Sequence, residues 1–204
     1  MTVLEIGTPH GPARAHMHPA ADPAAALVLG HGAAGSVEAR DLVAVTEVAL
    51  SASVSVALVE QPYAVAGRRS PAPARQLDAA WTAVLERLRA DELADLTLVV
   101  GGRSLGARVA CRTAEATGAV AVLCLAFPLV PPRRSSTPPP SRLPELDAVT
   151  LPTLVVQGER DPFGIPPPSR SREVVTVPGD HGLKADHEAV TKAVRTWLAR
   201  IVGR

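Results

Sequence analysis

Apolar runs alternate with amphipathic stretches along most of this chain. Most positions, rather than every second one, are apolar in six short runs: residues 25–29, 54–59, 96–100, 119–125, 153–157 and 173–177. Strands of this kind are covered on both faces, as in parallel sheets. Between the runs, apolar residues recur at helical spacing, which predicts helices at residues 38–50, 75–93, 104–116 and 187–202. Strand and helix in turn predict an α/β fold with a doubly wound, mostly parallel sheet flanked by helices.

Two segments stand outside this alternation. Residues 1–20 predict a short edge hairpin that turns at residues 8–12. Residues 128–144 are rich in proline, which predicts a long surface loop without a regular strand or helix. This loop follows an apolar run, so we expect it to leave the sheet at the carboxyl ends of the strands. Ligands of open α/β sheets bind at that edge.

Length and composition predict one globular domain over residues 1–204. The chain is 47% hydrophobic and 20% charged, and its formal net charge is +1. This charge gives no reason to expect nucleic acid or an anionic membrane as a partner. No apolar run approaches the ~20 residues that a bilayer span needs, and the N-terminus lacks the pattern of a signal peptide. We therefore expect a cytoplasmic protein, while its oligomeric state stays open.

The two cysteines, Cys111 and Cys124, fall in a predicted helix and a predicted buried strand. Both are expected to be small core residues rather than the two halves of a disulfide.

The stretch GGRSLGAR, residues 101–108, lies where an apolar run meets a predicted helix. Its Gly102-x-Ser104-x-Gly106 pattern matches a nucleophile elbow, a sharp turn that projects the serine. The glycines at Gly102 and Gly106 would let the neighbouring strand and helix approach each other. The alternative is an ordinary turn in which Ser104 caps the helix.

A serine nucleophile needs a general base, and the base needs an orienting carboxylate. Asp161 follows the run at 153–157, and His181 follows the run at 173–177. The order serine, acid, histidine is the one that accompanies a nucleophile elbow. The predicted catalytic residues are therefore Ser104, Asp161 and His181.

Other residues compete for two of these roles. Glu159 could be the acid, and so could Asp180, although a neighbour of His181 in the chain rarely reaches its ring nitrogen from the correct side. His187 is the rival base, but its position at the start of the last helix favours a solvated or capping role.

Acyl transfer also needs hydrogen-bond donors for the developing oxyanion. One predicted donor is the backbone N–H of Leu105, directly after the serine. The second is the backbone N–H of Ala33 in the small-residue loop at residues 30–35. His31 in this loop is expected to brace it, and the loop lacks the Gly-Lys-Ser/Thr ending of a phosphate-binding loop.

No metal and no cofactor are expected. His10, His16 and His18 resemble a zinc site only in part, because Asp22 is the one ligand-type residue close to them in the chain.

Arg103, inside the elbow, has two interpretations. It could form an ion pair under the elbow with Glu60 or another carboxylate, which we favour. Alternatively, Arg103 could attract an acidic substrate together with Arg68 or Arg69.

The segments LVLGHGAAG, VVGGRSLGAR, LVVQGERDPFG and VPGDHGLK occur in the order and at roughly the spacing expected of the α/β-hydrolase superfamily. The chain resembles that superfamily over nearly its whole length. The arginine before the serine, the RDPFG stretch and the segment PYAVAGRRSP are similar to the small hydrolase-like family of the Tex30 and KANL3-type proteins. A dienelactone hydrolase fits less well, because such enzymes are expected to have cysteine where Ser104 stands.

Together these features predict a carboxylesterase-type serine hydrolase. It would cleave an ester, thioester or related acyl bond of a small-molecule substrate through an acyl-enzyme. No helical insertion is expected between Phe127 and Leu151, so little or no lid should cover the site. The alternative is a non-catalytic hydrolase-like module for protein interaction, against which the complete triad argues.

Overall fold

A computed structural model describes residues 2–33, 36–131 and 139–203. The strands are β1 (Thr2–Thr8), β2 (Gly11–His18), β3 (Ala25–Gly30), β4 (Val54–Glu60), β5 (Thr97–Arg103), β6 (Ala121–Leu125), β7 (Thr153–Gly158) and β8 (Arg172–Val177). The helices are α1 (Arg40–Ser51), α2 (Pro62–Val65), α3 (Ala74–Arg89), α4 (Leu105–Thr113), α5 (Leu143–Asp147) and α6 (His187–Val202).

The strands form one eight-stranded sheet in the order β1-β2-β4-β3-β5-β6-β7-β8. All neighbours from β4 to β8 are parallel, whereas β2 is antiparallel to both β1 and β4. The predicted doubly wound, mostly parallel sheet is therefore confirmed. The strand order changes direction at β3, so a crevice opens beyond the carboxyl ends of β3 and β5.

Helices cover both faces of the sheet. Helices α3 and α4 bury apolar residues such as Trp81 and Val109 on one face. On the other face, α1 and α6 bury residues such as Val45 and Trp197. Every residue of β3, β6 and β7 is buried as a result. This double cover explains why the central runs are apolar throughout instead of alternating.

The predicted N-terminal hairpin is present as β1 and β2. Thr8 pairs with Gly11 at its turn, as the sequence indicates. Alternate residues of β2, Ala13, Ala15 and Met17, point into the core, which is the pattern of a strand with one covered face.

The prediction of no helix between Phe127 and Leu151 is wrong. Helix α5 lies in this segment and packs against α4, with Leu146 buried. Pro144 does not prevent it, because a proline in the first turn removes no intrahelical hydrogen bond. The described part of the segment contains only this five-residue helix, which is too short to form a helical lid. Most of the predicted proline-rich loop, residues 132–138, lies outside the described residues.

Some element boundaries also differ from the prediction. Helix α3 ends at Arg89 rather than near residue 93, because Leu93 turns back and its N–H donates to the Leu88 carbonyl oxygen at 2.8 Å. Helix α2, directly after β4, was not predicted.

Cys111 and Cys124 are buried core residues, as the sequence predicts. Their sulfur atoms are 3.5 Å apart, which is too long for a disulfide bond.

Among the described residues, no helix combines the length and the apolar character that crossing a bilayer requires.

Candidate active site

Ser104 lies at the turn between β5 and α4 with φ 52° and ψ −102°. A non-glycine residue rarely adopts a positive φ, and such strain is concentrated at functional sites. The Ser104 N–H donates to the Leu125 carbonyl oxygen at 2.9 Å, which ties the turn to the end of β6. The Ser104 side chain makes no capping hydrogen bond to α4, so the alternative of a helix-capping serine is wrong.

The glycines of the elbow allow a close approach that a side chain would prevent. A Cβ at either Gly102 or Gly106 would overlap the carbonyl oxygen of Gly30 at the end of β3. The Gly106 N–H also donates to the His31 carbonyl oxygen at 3.1 Å. The start of α4 therefore packs directly on the end of β3, as the glycine pattern predicts.

Three predicted side chains meet at this turn. His181 Nε2 is 2.9 Å from Ser104 Oγ, and His181 Nδ1 is 2.8 Å from Asp161 Oδ2. Asp161 follows β7 and His181 follows β8, so the carboxyl ends of β5, β7 and β8 supply all three residues. With the proton on Nδ1, the imidazole donates to Asp161 and accepts from the serine hydroxyl. This arrangement can transfer the hydroxyl proton to His181 when Ser104 attacks a carbonyl carbon.

The Asp161 carboxylate is fully buried and has further donors. Gln157 Nε2 donates to Oδ2 at 2.7 Å, and the Phe163 N–H donates to Oδ1 at 2.9 Å. Gln157 Nε2 also lies 3.0 Å from the carbonyl oxygens of Phe127 and Gly164. Sequence reasoning missed Gln157, although a polar residue at the end of an apolar run was a signal for it.

The rival residues occupy other positions. Glu159 is exposed, and Asp180 Oδ1 accepts the Gly182 N–H at 2.8 Å within its own turn. Asp186, rather than His187, caps helix α6. His187 is only partly exposed, and its Nε2 atom is buried without a partner among the described residues. The capping alternative for His187 is therefore wrong, and its side chain is only partly solvated.

The loop that carries Ala33 is braced by His31, which is 2% exposed. His31 Nδ1 donates to the Gly32 carbonyl oxygen at 2.7 Å, and its Nε2 accepts the Gln61 N–H at 3.3 Å. These two bonds require the neutral imidazole. Burial lowers the pKa of His31 below its usual value and outweighs the Gly32 hydrogen bond and the charge of Glu60, both of which raise it.

The same hydrogen bond orients the predicted oxyanion donor. The Gly32 carbonyl and the Ala33 N–H belong to one planar peptide group and point in opposite directions. Holding the carbonyl on His31 therefore directs the Ala33 N–H away from that ring. The Tyr63 hydroxyl donates to the Ala33 carbonyl oxygen at 2.9 Å and holds Ala33 from its other side. Leu105, at the first position of α4, has an N–H without an intrahelical partner.

Arg103 connects helix α1 to the loop after β8. Its Nε is 2.9 Å from Asp41 Oδ2, and its Nη2 donates to the His181 carbonyl oxygen at 3.1 Å. The Asp41 side chain is only 3% exposed. The ion-pair interpretation therefore agrees with the geometry, with a different partner from Glu60, which lies 3.0 Å from His16.

Arg68 and Arg69 are exposed and do not join Arg103. Within the described residues, no group of three His, Cys, Asp or Glu side chains could hold a metal ion.

A cleft of about 410 Å³ opens in front of Ser104. Ala33 and Leu105 line it beside the serine. Phe163 lines it as well and packs on the His181 ring, with the ring centroids 4.4 Å apart. The other described residues that line the cleft are five apolar residues and three arginines. They are Pro71, Ala72, Ala74, Leu77, Pro128, Arg108, Arg112 and Arg142.

Comparison with known proteins identifies the fold. A family model described as an alpha/beta hydrolase domain matches residues 23–194. No curated protein shows significant sequence similarity to the chain.

Solved structures resemble the chain over nearly its whole length. XC6422 from Xanthomonas campestris, described as a serine hydrolase without a lid, is 19% identical with a TM-score of 0.78, and 98% of this chain and 94% of that chain are covered. Est1E from Butyrivibrio proteoclasticus is 18% identical with a TM-score of 0.79, and both chains are covered completely. A dienelactone hydrolase from Anabaena variabilis is 14% identical with a TM-score of 0.76, and 98% of this chain and 96% of that chain are covered. At these identities the similarity concerns the fold.

Proposed function

Because the chain belongs to the alpha/beta hydrolase family, we propose that it is a serine hydrolase that uses Ser104, His181 and Asp161. It cleaves an ester, thioester or related acyl bond of a small molecule, as a carboxylesterase-type enzyme does. The observation that carries the proposal is the hydrogen-bonded chain from Ser104 Oγ through His181 to Asp161. Family membership supports the coarser conclusion, a hydrolase.

The first half of the reaction forms an acyl-enzyme. Ser104 Oγ attacks the carbonyl carbon while His181 Nε2 takes the hydroxyl proton, and Asp161 stabilises the imidazolium. The backbone N–H groups of Ala33 and Leu105 donate to the oxyanion of the tetrahedral intermediate. The intermediate collapses, His181 gives its proton to the leaving alcohol or thiol, and the acyl group stays on Ser104.

The second half returns the free enzyme. His181 takes a proton from a water molecule, which attacks the acyl carbon. The second tetrahedral intermediate expels Ser104 Oγ, which regains its proton from His181. The carboxylic acid then leaves through the cleft.

Within the family, we assign the chain to the small hydrolases of the Tex30 and KANL3 type. The support is local: Arg103 before the serine, the segment RDPFG from Arg160, and PYAVAGRRSP from Pro62. This assignment does not identify the substrate.

Labelling with a fluorophosphonate tests the proposed nucleophile. We expect stoichiometric modification of Ser104, located by peptide mass spectrometry, and none in Ser104→Ala. Ser169→Ala is the matched control, because Ser169 is an exposed serine that does not line the cleft. Absence of labelling in the folded wild-type protein would favour the non-catalytic interaction module.

A further inference from the structure

Within the part of the chain that the structure describes, three arginines line the cleft, and two of them form ion pairs with carboxylates. Arg108 donates to Glu145 through two hydrogen bonds of 2.8 and 2.5 Å. Arg112 donates to Asp78 through two bonds of 2.9 and 2.6 Å and lies 3.4 Å from Glu145. These bidentate pairs use most of the hydrogen-bonding capacity of the two carboxylates.

Arg142 has no such match. Within the described residues, no carboxylate oxygen lies within 4.0 Å of its guanidinium, and residues 132–138 contain no acidic residue. Arg142 Nη1 donates to the Pro128 carbonyl oxygen at 3.0 Å. Its side chain is half-buried and lines the cleft that contains Ser104.

The local charge is therefore unbalanced. Among the described residues, the guanidinium groups of these three arginines lie beside two carboxylates, Glu145 and Asp78, which leaves one net positive charge there. Burial lowers the pKa of Arg142, and Arg108 and Arg112 lower it further, against the opposing charge of Glu145. The guanidinium nonetheless stays protonated at neutral pH. An anion in the cleft would relieve this repulsion.

We propose that Arg142 binds a carboxylate on the substrate, so that this protein acts on acyl compounds with an anionic group remote from the scissile bond. The inference rests on the proposed hydrolase function and specifies its substrate class. A carboxylate matches the one unbalanced charge found among the described residues, whereas a phosphate monoester would bring almost two. The planar fork of Arg142 can donate two parallel hydrogen bonds to it.

Other arginines are less suited to this role. Arg103 is held by Asp41 and the His181 carbonyl oxygen. Arg68 is exposed and lines a different cavity, bordered by the β1–β2 turn, α2 and α3. Arg142 is therefore the arginine that the observations favour.

A purely structural role for Arg142 makes a different prediction. Its backbone N–H donates to the Leu129 carbonyl oxygen at 2.8 Å, so residue 142 also holds the loop after β6. If the side chain served only this loop, its loss would slow neutral and anionic substrates equally.

The test compares matched pairs of esters as substrates of this protein. The anionic substrates are the mono-4-nitrophenyl esters of adipate, suberate and sebacate, in which the second carboxylate is free. Their neutral partners are the same 4-nitrophenyl esters with that carboxylate converted to a methyl ester. We expect at least one length to be preferred as the anion by about 10- to 100-fold in kcat/KM, as for a hydrogen-bonded ion pair. Arg142→Gln should abolish this preference through a higher KM, and Arg142→Lys should keep part of it. Higher salt should reduce it.

Arg195→Gln is the matched control. Arg195 is an exposed residue of α6, on the opposite face of the sheet, and its replacement removes the same charge from the whole protein. We expect it to leave the preference unchanged.

Several outcomes would overturn the inference. They are equal rates on anionic and neutral esters at every length, a preference that survives Arg142→Gln, and an equal loss on both esters in that variant. A stronger preference for the phosphonate of the same length would assign a phosphate-type anion instead of a carboxylate.

A binding experiment separates this inference from the proposed catalysis. Calorimetry with Ser104→Ala measures affinity for the same ester pairs without turnover. We expect tighter binding of the anion, lost when Arg142→Gln is added. Anion-selective binding together with no turnover by the wild-type protein would contradict the proposed function and leave only the carboxylate-binding role of Arg142 in place. Equal binding of both esters would contradict the inference alone.

Discussion

Ser104 combines a strained backbone with a hydrogen bond to His181. Strain at a single non-glycine residue costs about 1–3 kcal/mol and persists only where surrounding structure enforces it. The enforcing contacts are the close approach of Gly106 to Gly30 and the hydrogen bond from the Ser104 N–H to Leu125.

Ser104→Ala should abolish turnover of short 4-nitrophenyl esters, with a fall in kcat of about four orders of magnitude or more. The free energy of unfolding measured in urea should change by no more than about 1 kcal/mol, because the hydroxyl contributes little to packing. Retained turnover in a folded variant would show that another residue is the nucleophile.

We propose that His31 is a positioning residue, because its hydrogen bond to the Gly32 carbonyl orients the Ala33 N–H, the proposed oxyanion donor. His31→Gln should lower kcat by about 10- to 100-fold with little change in KM, since the donor acts on the transition state. An equal fall in both constants, or a rise in KM alone, would contradict this role.

His31 also makes stability depend on pH. Its pKa is lowered in the folded state, so below its usual value of about 6.5 the unfolded chain binds a proton that the folded protein excludes. Stability is therefore lost as pH falls from about 6.5 towards the folded pKa. The free energy of unfolding in urea should fall less between pH 7.5 and pH 5 in His31→Gln than in the wild type.

At the scale of elements, Arg103 connects helix α1 to the loop after β8. Asp41 comes from α1, and the His181 carbonyl comes from the loop that carries the proposed base. Residues in two layers of the fold thus hold the histidine loop against the elbow.

Arg103→Ala leaves Asp41 almost fully buried without its counter-charge, so it should destabilise the protein by about 3 kcal/mol. Rates on neutral and anionic esters should fall equally, because the His181 loop is loosened. Adding Asp41→Asn should recover part of the stability. An anion-selective, salt-sensitive loss with an unchanged melting temperature would favour substrate binding by Arg103.

The helix α5 owes its position to the arginines of α4. Burial alone would raise the pKa of Glu145, but the hydrogen bonds and charges of Arg108 and Arg112 hold it below its usual value. Glu145 thereby anchors α5, directly after Arg142, to the helix that follows the elbow.

At the scale of the whole molecule, the two covered faces of the sheet each contain one tryptophan. Trp81 is fully buried in the layer of α3 and α4, and Trp197 is 3% exposed in the layer of α6. The two tryptophans therefore monitor opposite sides of the sheet.

We propose that residues 1–204 unfold as one domain. In Trp81→Phe and in Trp197→Phe, the fluorescence transition in urea should coincide with the loss of circular dichroism of the same variant. The two transitions are compared within each variant, so a difference in stability between the two variants does not affect the result. Separate transitions in either variant would indicate independently unfolding parts.

The sequence by itself determined the mostly parallel sheet, the longer helices α1, α3, α4 and α6, and the order in which serine, acid and histidine follow their strands. Each of these features depends on residues that are close together in the chain. Apolar runs indicate buried strands, and Gly102 and Gly106 indicate a turn too tight for side chains. Because parallel strands end at one edge, residues directly after them could be expected to meet there.

Only the tertiary structure decided which side chains pair across that edge. Asp41 rather than Glu60 faces Arg103, Gln157 supports Asp161, and Arg142 shares the cleft with Ser104. Such partners come from segments far apart in the chain, and their distances depend on strand order, register and the path of the loops. The same holds for α5, which is too short for periodicity to reveal and is stabilised by its contacts with α4.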